Sequence, residues 1–130
     1  AHVLLVEDNP VNQEVGLAML ESLGCHVDVA ADGLKALDAL SYTEYELILM
    51  DCHMPTMDGF AATREIRRLE REHGRSSVPI IALTADVQTG IINRCLTAGM
   101  DSYISKPFTI QQLRSTLEKW LITTTQRQGR

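Results

Sequence analysis

Short apolar runs alternate with longer amphipathic stretches five times along the chain. The runs begin at Val3, Val27, Leu47, Ile80 and Ser102. Most are apolar and partly β-branched, as parallel strands covered on both faces should be. Between them the apolar period becomes that of a helix. Asn9 is placed to cap the first helix with Pro10 at its first position, and Val11, Val15, Ala18, Met19 and Leu23 form its expected buried stripe before Gly24 stops it. Leu34, Leu37 and Leu40 mark a second helix, and Ile66 and Leu69 a third that follows Asp58-Gly59. Ile91, Ile92, Cys95 and Leu96 mark a fourth closed by Gly99, and Ile110, Leu113, Leu117, Trp120 and Leu121 a fifth. The pattern predicts an α/β protein: a doubly wound (βα)5 unit whose five-stranded parallel sheet carries helices on both faces.

Such a sheet gathers the downstream ends of its strands along one edge, where ligands bind at a topological switch point. Here those ends carry reactive groups. Glu7 and Asp8 follow the first apolar run, Asp51 ends Leu47-Ile48-Leu49-Met50, and Thr84 follows Ile80-Ile81-Ala82-Leu83. Lys106-Pro107 follows Ser102-Tyr103-Ile104-Ser105. Three carboxylates facing one lysine make a poor structural ion pair but a good cage for a divalent cation beside a nucleophilic carboxylate.

Composition narrows the field. A chain of 130 residues, 45% apolar and 22% charged, suits one globular domain with its own core. A net charge of −5 with no long basic run lacks the electrostatic footprint of direct nucleic-acid binding. Cys25, Cys52 and Cys95 are odd in number and widely spaced, which implies reduced thiols and a cytoplasmic setting. No apolar stretch approaches bilayer-spanning length, so no membrane contact by this segment is expected. The domain is read as residues 1–122, and the polar residues 123–130 as a tail or linker. The Arg64 to Arg75 stretch, dense in both signs, reads as the solvated face of the third helix.

The residues named above, in their order and placement from Val3 to about Leu121, resemble the receiver domains of two-component response regulators. Glu7-Asp8 resembles the family's acidic pair, Asp51 its phosphoacceptor, and Met54-Pro55 with Asp58-Gly59 its turn after the third strand. Thr84 resembles its switch hydroxyl, Tyr103 its switch aromatic and Lys106-Pro107 its lysine-proline step. The stretch from Val6 to Asn12 looks like the first loop of receivers attached to hybrid sensor histidine kinases.

That resemblance implies the flavodoxin-like strand order 2-1-3-4-5 and a domain that catalyses its own aspartyl phosphorylation and dephosphorylation. It assigns Mg2+ to Glu7, Asp8, Asp51 and the main-chain carbonyl of His53. It gives Lys106 and Thr84 to the phosphoryl oxygens, and the conformational switch to Thr84 and Tyr103. The His53 ring, next to the acceptor, is expected to influence hydrolysis of the acyl phosphate more than its formation. The implied partners are a histidine kinase domain and a histidine phosphotransfer domain docking near the first helix. A homodimer through the fourth and fifth helices is a further implied association. The preferred parent is a hybrid sensor histidine kinase, with a stand-alone regulator acting by protein contact as the alternative. A haloacid-dehalogenase-like phosphatase would need D-x-D at the nucleophile, whereas His53 stands two residues beyond Asp51. A flavodoxin-like electron carrier would meet anion repulsion from Glu7 and Asp8 at its phosphate loop.

Overall fold

The computed structural model describes residues 1–52, 54, 58–85 and 88–128. Strands and helices alternate along the chain: β1 (His2–Val6), α1 (Pro10–Ser22), β2 (His26–Ala30), α2 (Gly33–Tyr42), β3 (Leu47–Asp51), α3 (Gly59–His73), β4 (Ile80–Thr84), α4 (Thr89–Ala98), β5 (Ser102–Ser105) and α5 (Ile110–Gln128). The five strands form one parallel sheet in the order β2-β1-β3-β4-β5. Helix α5 carries helical backbone past Leu121 into the polar stretch that composition marks as a tail.

Alternation along each strand divides the core in two. Leu4, Val6, Ile48, Met50, Ile80 and Ala82 face one way, toward Ala36 of α2, Phe60 and Ile66 of α3 and Cys95 of α4. Val3, Leu5, Leu47, Leu49, Ile81 and Leu83 face the other, toward Leu20 of α1 and Leu113 and Leu117 of α5. The central strand β3 is buried at every position, which fixes the place of its last residue, Asp51.

Helix starts follow the local chemistry of the sequence. Asn9 Oδ1 accepts hydrogen bonds from the main-chain N–H groups of Val11 and Asn12 at 2.9 and 3.1 Å, and Pro10 occupies the first turn, where its missing N–H costs nothing. Asp32 and Asp58 cap α2 and α3 in the same way. Gly99 ends α4 in the left-handed region at φ 111°, a conformation that favours glycine.

The buried side of α1 differs from its expected stripe. Val11 and Val15 are 66% and 47% exposed and Ala18 is exposed, while Gly16 and Leu20 are buried. A Cβ at Gly16 would lie 2.9 Å from Leu5 Cδ2. The helix therefore approaches β1 through a glycine, which leaves part of its apolar stripe facing solvent. The charged stretch on α3 also differs. Arg67 Nη1 binds Glu70 Oε1 at 2.8 Å and Nη2 binds Asp101 Oδ2 at 2.9 Å. Glu70, itself buried, also accepts from Val78 N at 2.8 Å. These groups tie α3 to the segments entering β4 and β5, while Arg68, Glu65 and Glu72 form the solvated ion pairs on this helix.

Candidate functional site

Four segments converge at the downstream edge of the sheet. Glu7 leaves β1 with only 2% of its surface exposed and Asp51 ends β3 at 4%; Asp8 beside them is exposed. One carboxylate oxygen from each of the three lies within 4.8 Å of the others. Lys106, just beyond β5, reaches into this cluster: its Nζ lies 2.8 Å from Glu7 Oε1 and 3.5 Å from Asp51 Oδ2. Its own main-chain N–H donates to the Thr84 carbonyl at 2.8 Å, tying the lysine's backbone to the end of β4. The Lys106–Pro107 peptide bond is cis.

Glu7 is held from several sides. Its Oε2 accepts from Asn9 N at 3.2 Å, its main-chain N–H donates to the Ala30 carbonyl at 3.0 Å, and its carbonyl accepts from Gln13 Nε2 at 2.7 Å. Burial alone would push its carboxyl up. The Lys106 ammonium and the Asn9 N–H outweigh that and hold it below the usual glutamate range. Lys106 is the mirror case: burial disfavours its charge, but Glu7 and Asp51 raise its affinity for the proton. The result is a charged network with three carboxylates against one ammonium.

That excess of negative charge supplies a test of whether a metal fits. Mg2+ takes octahedral oxygen ligands at about 2.1 Å, so two ligands on one ion lie about 3 to 4.2 Å apart. Carboxylate oxygens within 4.8 Å of one another, with Asp8 open to solvent for the ion's remaining waters, suit such an ion with small side-chain adjustments. The residues therefore fit a hard divalent cation.

Strand β3 is set in place by close backbone packing. Gly59 N donates to the Cys52 carbonyl at 3.2 Å, and a Cβ on Gly59 would lie 2.3 Å from the Asp51 carbonyl oxygen. Only glycine lets α3 begin this near Asp51. Thr84 is buried at the end of β4 (1% exposed), and Tyr103 on β5 is 42% exposed. Met54 is buried, whereas His53 and Pro55 lie outside the described residues. The structure thus brings Glu7, Asp8, Asp51 and Lys106 together and sets Thr84 on the neighbouring strand. Residues that sequence reading did not single out are Asn9 and Gln13 as supports of Glu7. Asn9 doubles as the helix cap, and that single role hid the second.

Cys52 follows Asp51, and its Sγ lies 3.8 Å from that of Cys95. Both thiols are free and buried, and burial raises their affinity for the proton. Among the described residues no helix is long and apolar enough to cross a membrane.

A parallel sheet with acids at its carboxyl edge and a lysine among them is the arrangement that resembles a receiver domain, and comparison with known proteins agrees. Residues 3–118 match the model of the response regulator receiver domain. The chain belongs to that family. It is 40% identical over 149 residues to a probable histidine kinase 1 of Oryza sativa subsp. indica, covering 93% of this chain but 15% of that protein. It therefore spans a small fraction of such a relative. It also resembles the receiver domain of a sensor histidine kinase from Pseudomonas aeruginosa PAO1, solved with a magnesium ion coordinated in the active-site cleft. That match has 49% identity and a TM-score of 0.83 over 92% of this chain and 96% of that one. A second similar structure is the receiver domain of the Saccharomyces cerevisiae response regulator Ssk1, co-crystallised with the histidine phosphotransfer protein Ypd1. It has 28% identity and a TM-score of 0.87 over 92% of this chain and 87% of that one.

Proposed function

We propose that this domain accepts a phosphoryl group from a phosphohistidine onto Asp51, with Mg2+ bound by Glu7, Asp8 and Asp51, and that it serves a phosphorelay within a hybrid sensor histidine kinase. The observation that carries the reading is the placement of Lys106 Nζ between Glu7 Oε1 and Asp51 Oδ2, at 2.8 and 3.5 Å.

An Asp51 carboxylate oxygen forms the new bond to phosphorus as the phosphorus–nitrogen bond to the donor imidazole breaks, and that imidazole departs with the bonding pair. Phosphoryl transfer of this kind asks the protein for positioning and charge compensation and for little covalent work. Bound Mg2+ would supply charge neutralisation at the phosphoryl oxygens and relieve repulsion among the carboxylates. Lys106 offers a second positive charge, held in place by Glu7 before the phosphoryl group arrives. Thr84 is the hydroxyl assigned to the new phosphoryl group. Tyr103, half in solvent on the adjacent strand, reports that change to the surface of α4, β5 and α5.

Val11 and Val15, exposed on α1, the helix that follows Glu7 and Asp8 in the chain, offer an apolar patch for a histidine phosphotransfer domain. The yeast co-crystal provides a relative bound to a phosphotransfer protein. Treatment with acetyl phosphate and Mg2+ should add one phosphoryl group by intact mass to the wild-type chain and none to Asp51→Asn. An equal gain in both chains, or none in the wild type, would overturn the assignment.

A further inference from the structure

The opposite edge of the sheet carries a second constellation. His2 opens β1 and His26 opens β2, and the two stand in register as paired neighbours. Side chains alternate along a strand, so Asp28, two residues beyond His26, lies on the same face. His2 Nε2 approaches Asp28 Oδ2 at 3.0 Å, and the His2 and His26 rings meet edge-on with centroids 4.6 Å apart. One ligand atom from each of His2, His26 and Asp28 lies within 4.8 Å of the other two.

Neighbouring groups hold this cluster. The Tyr45 hydroxyl donates to Asp28 Oδ2 at 2.6 Å, and its ring packs against His2 at 4.7 Å between centroids. The His2 main-chain N–H donates to Glu46 Oε1 at 3.1 Å. Two of the three groups are thus oriented by outer contacts, an arrangement common around metal ligands. His26 is exposed, and the cluster opens to water on that side.

We propose that His2, His26 and Asp28 form a metal site, separate from the acidic cleft, for a borderline transition cation such as Zn2+. Two imidazoles and one carboxylate are a donor set for zinc, with water completing four-coordination, and not for the hard cations that all-oxygen sites select. Ligand bonds of about 2.0 to 2.2 Å set donor atoms about 3.3 to 3.5 Å apart. The His2–Asp28 pair is already near that separation, and rotation of the His26 ring brings in the third donor. The bound ion would pin the edge strand β2 to β1, far from the phosphoacceptor. The two edges would then sort cations by donor chemistry, magnesium to carboxylates and zinc to imidazoles.

The test is calorimetric titration of ZnCl2 into the untagged 130-residue chain with its α-amine acetylated, in saturating Mg2+, followed by Co2+ substitution monitored by visible absorption. One ion per chain is expected, with a four-coordinate Co2+ spectrum and a melting temperature raised by about 5 °C at excess zinc. His26→Ala, an exposed change that leaves the metal-free melting temperature unaltered, should weaken zinc binding at least tenfold, and Asp28→Asn should weaken it as well. Asp51→Asn and His73→Ala should bind zinc as the wild type does. Absence of zinc binding, wild-type affinity in His26→Ala, or loss of binding in Asp51→Asn or His73→Ala would each overturn the proposal.

Discussion

Replacing Gly59 by alanine sets two opposed effects against each other. Helix propensity favours the change: alanine is better than glycine inside a helix by about 0.8 to 1 kcal/mol, and less at the first position, where Gly59 sits. Packing opposes it. The added Cβ would stand 2.3 Å from the Asp51 carbonyl oxygen and 3.0 Å from both Cys52 Cα and Met50 Cγ. Reaching ordinary contact requires a shift of about 1 Å. Strand β3 cannot give, because all five of its residues are buried and it is paired on both sides. The start of α3 must therefore retreat, which stretches the Gly59–Cys52 hydrogen bond and drags Phe60 and Ala62 from full burial. Overpacking of this kind costs about 1 to 3 kcal/mol and a lost hydrogen bond about 1 more; the sum of about 2 to 4 kcal/mol outweighs the propensity gain and leaves a net loss of about 2 to 3 kcal/mol. For a domain of this size that lowers the melting temperature by roughly 6 to 12 °C. Any displacement transmitted to Asp51 acts on chemistry too, since a misplacement of about 1 Å can cost on the order of 100-fold in rate. Calorimetry together with the initial rate of mass gain from acetyl phosphate at saturating Mg2+ measures both. A variant that melts at or above the wild-type temperature and is phosphorylated at the wild-type rate would refute the steric argument.

Three further outcomes follow from the charge balance of the acidic cleft. Like charges within 4.8 Å repel by about 3 to 4 kcal/mol per pair at an effective dielectric of about 20, less where solvent reaches Asp8; millimolar Mg2+ should raise the melting temperature by several degrees, and the gain should shrink in Asp8→Asn and Asp51→Asn, with equal shifts in all three chains counting against a metal at this site. Lys106→Met strands the buried Glu7 carboxylate and should cost about 2 to 4 kcal/mol at neutral pH, part of which Lys106→Met with Glu7→Gln recovers; additive losses in urea denaturation would show that the pair is not coupled. Because the folded state holds Glu7 below the ordinary glutamate value, its contribution is present above about pH 4.3 and is lost as pH falls through the lowered value. Metal-free Glu7→Gln should then show a flatter acid limb than the wild type when melting temperature is followed from pH 6 downward, and parallel limbs would contradict this.

The fold was legible because each level of the sequence agreed. Strand-length apolar runs, Asn9-Pro10 at a helix start and Gly99 at a helix end all point to the same alternation, and the parallel sheet then brings Glu7, Asp8, Asp51 and Lys106 together without further information. What stayed hidden involved contacts without a periodic signature. Hydrophobic periodicity weighs side chains, so it could not identify Gly16 as the point where α1 meets Leu5, and it put Val11 and Val15 on the buried side instead. The Arg67–Asp101 bond joins residues 34 apart in sequence. From composition alone, such a charged stretch looks like any solvated helix face. Glu7 and Lys106, 99 residues apart, were both assigned to the cleft, but their direct ion pair is a property of the three-dimensional edge.

The same geometric reason explains why two polar clusters occur on one sheet. Parallel strands put all their beginnings along one edge and all their ends along the other, so residues that merely open or close strands become neighbours in space. At the closing edge the apolar runs end in acids, and burial of Glu7 and Asp51 makes their mutual repulsion large enough for a cation or Lys106 to matter. At the opening edge, His2 and His26 are 24 positions apart in the chain but become cross-strand partners once β1 and β2 pair. Within its own strand His2 has no ligand-spaced companion, and His26 has only Asp28, two residues on. The parallel register supplies the second imidazole, and the Tyr45 hydroxyl fixes the carboxylate that joins them. A shift of one residue in that register would turn His26 and Asp28 to the other face of the sheet and disperse the cluster. The pairing of β2 with β1 is therefore the structural condition on which the His2, His26 and Asp28 cluster depends.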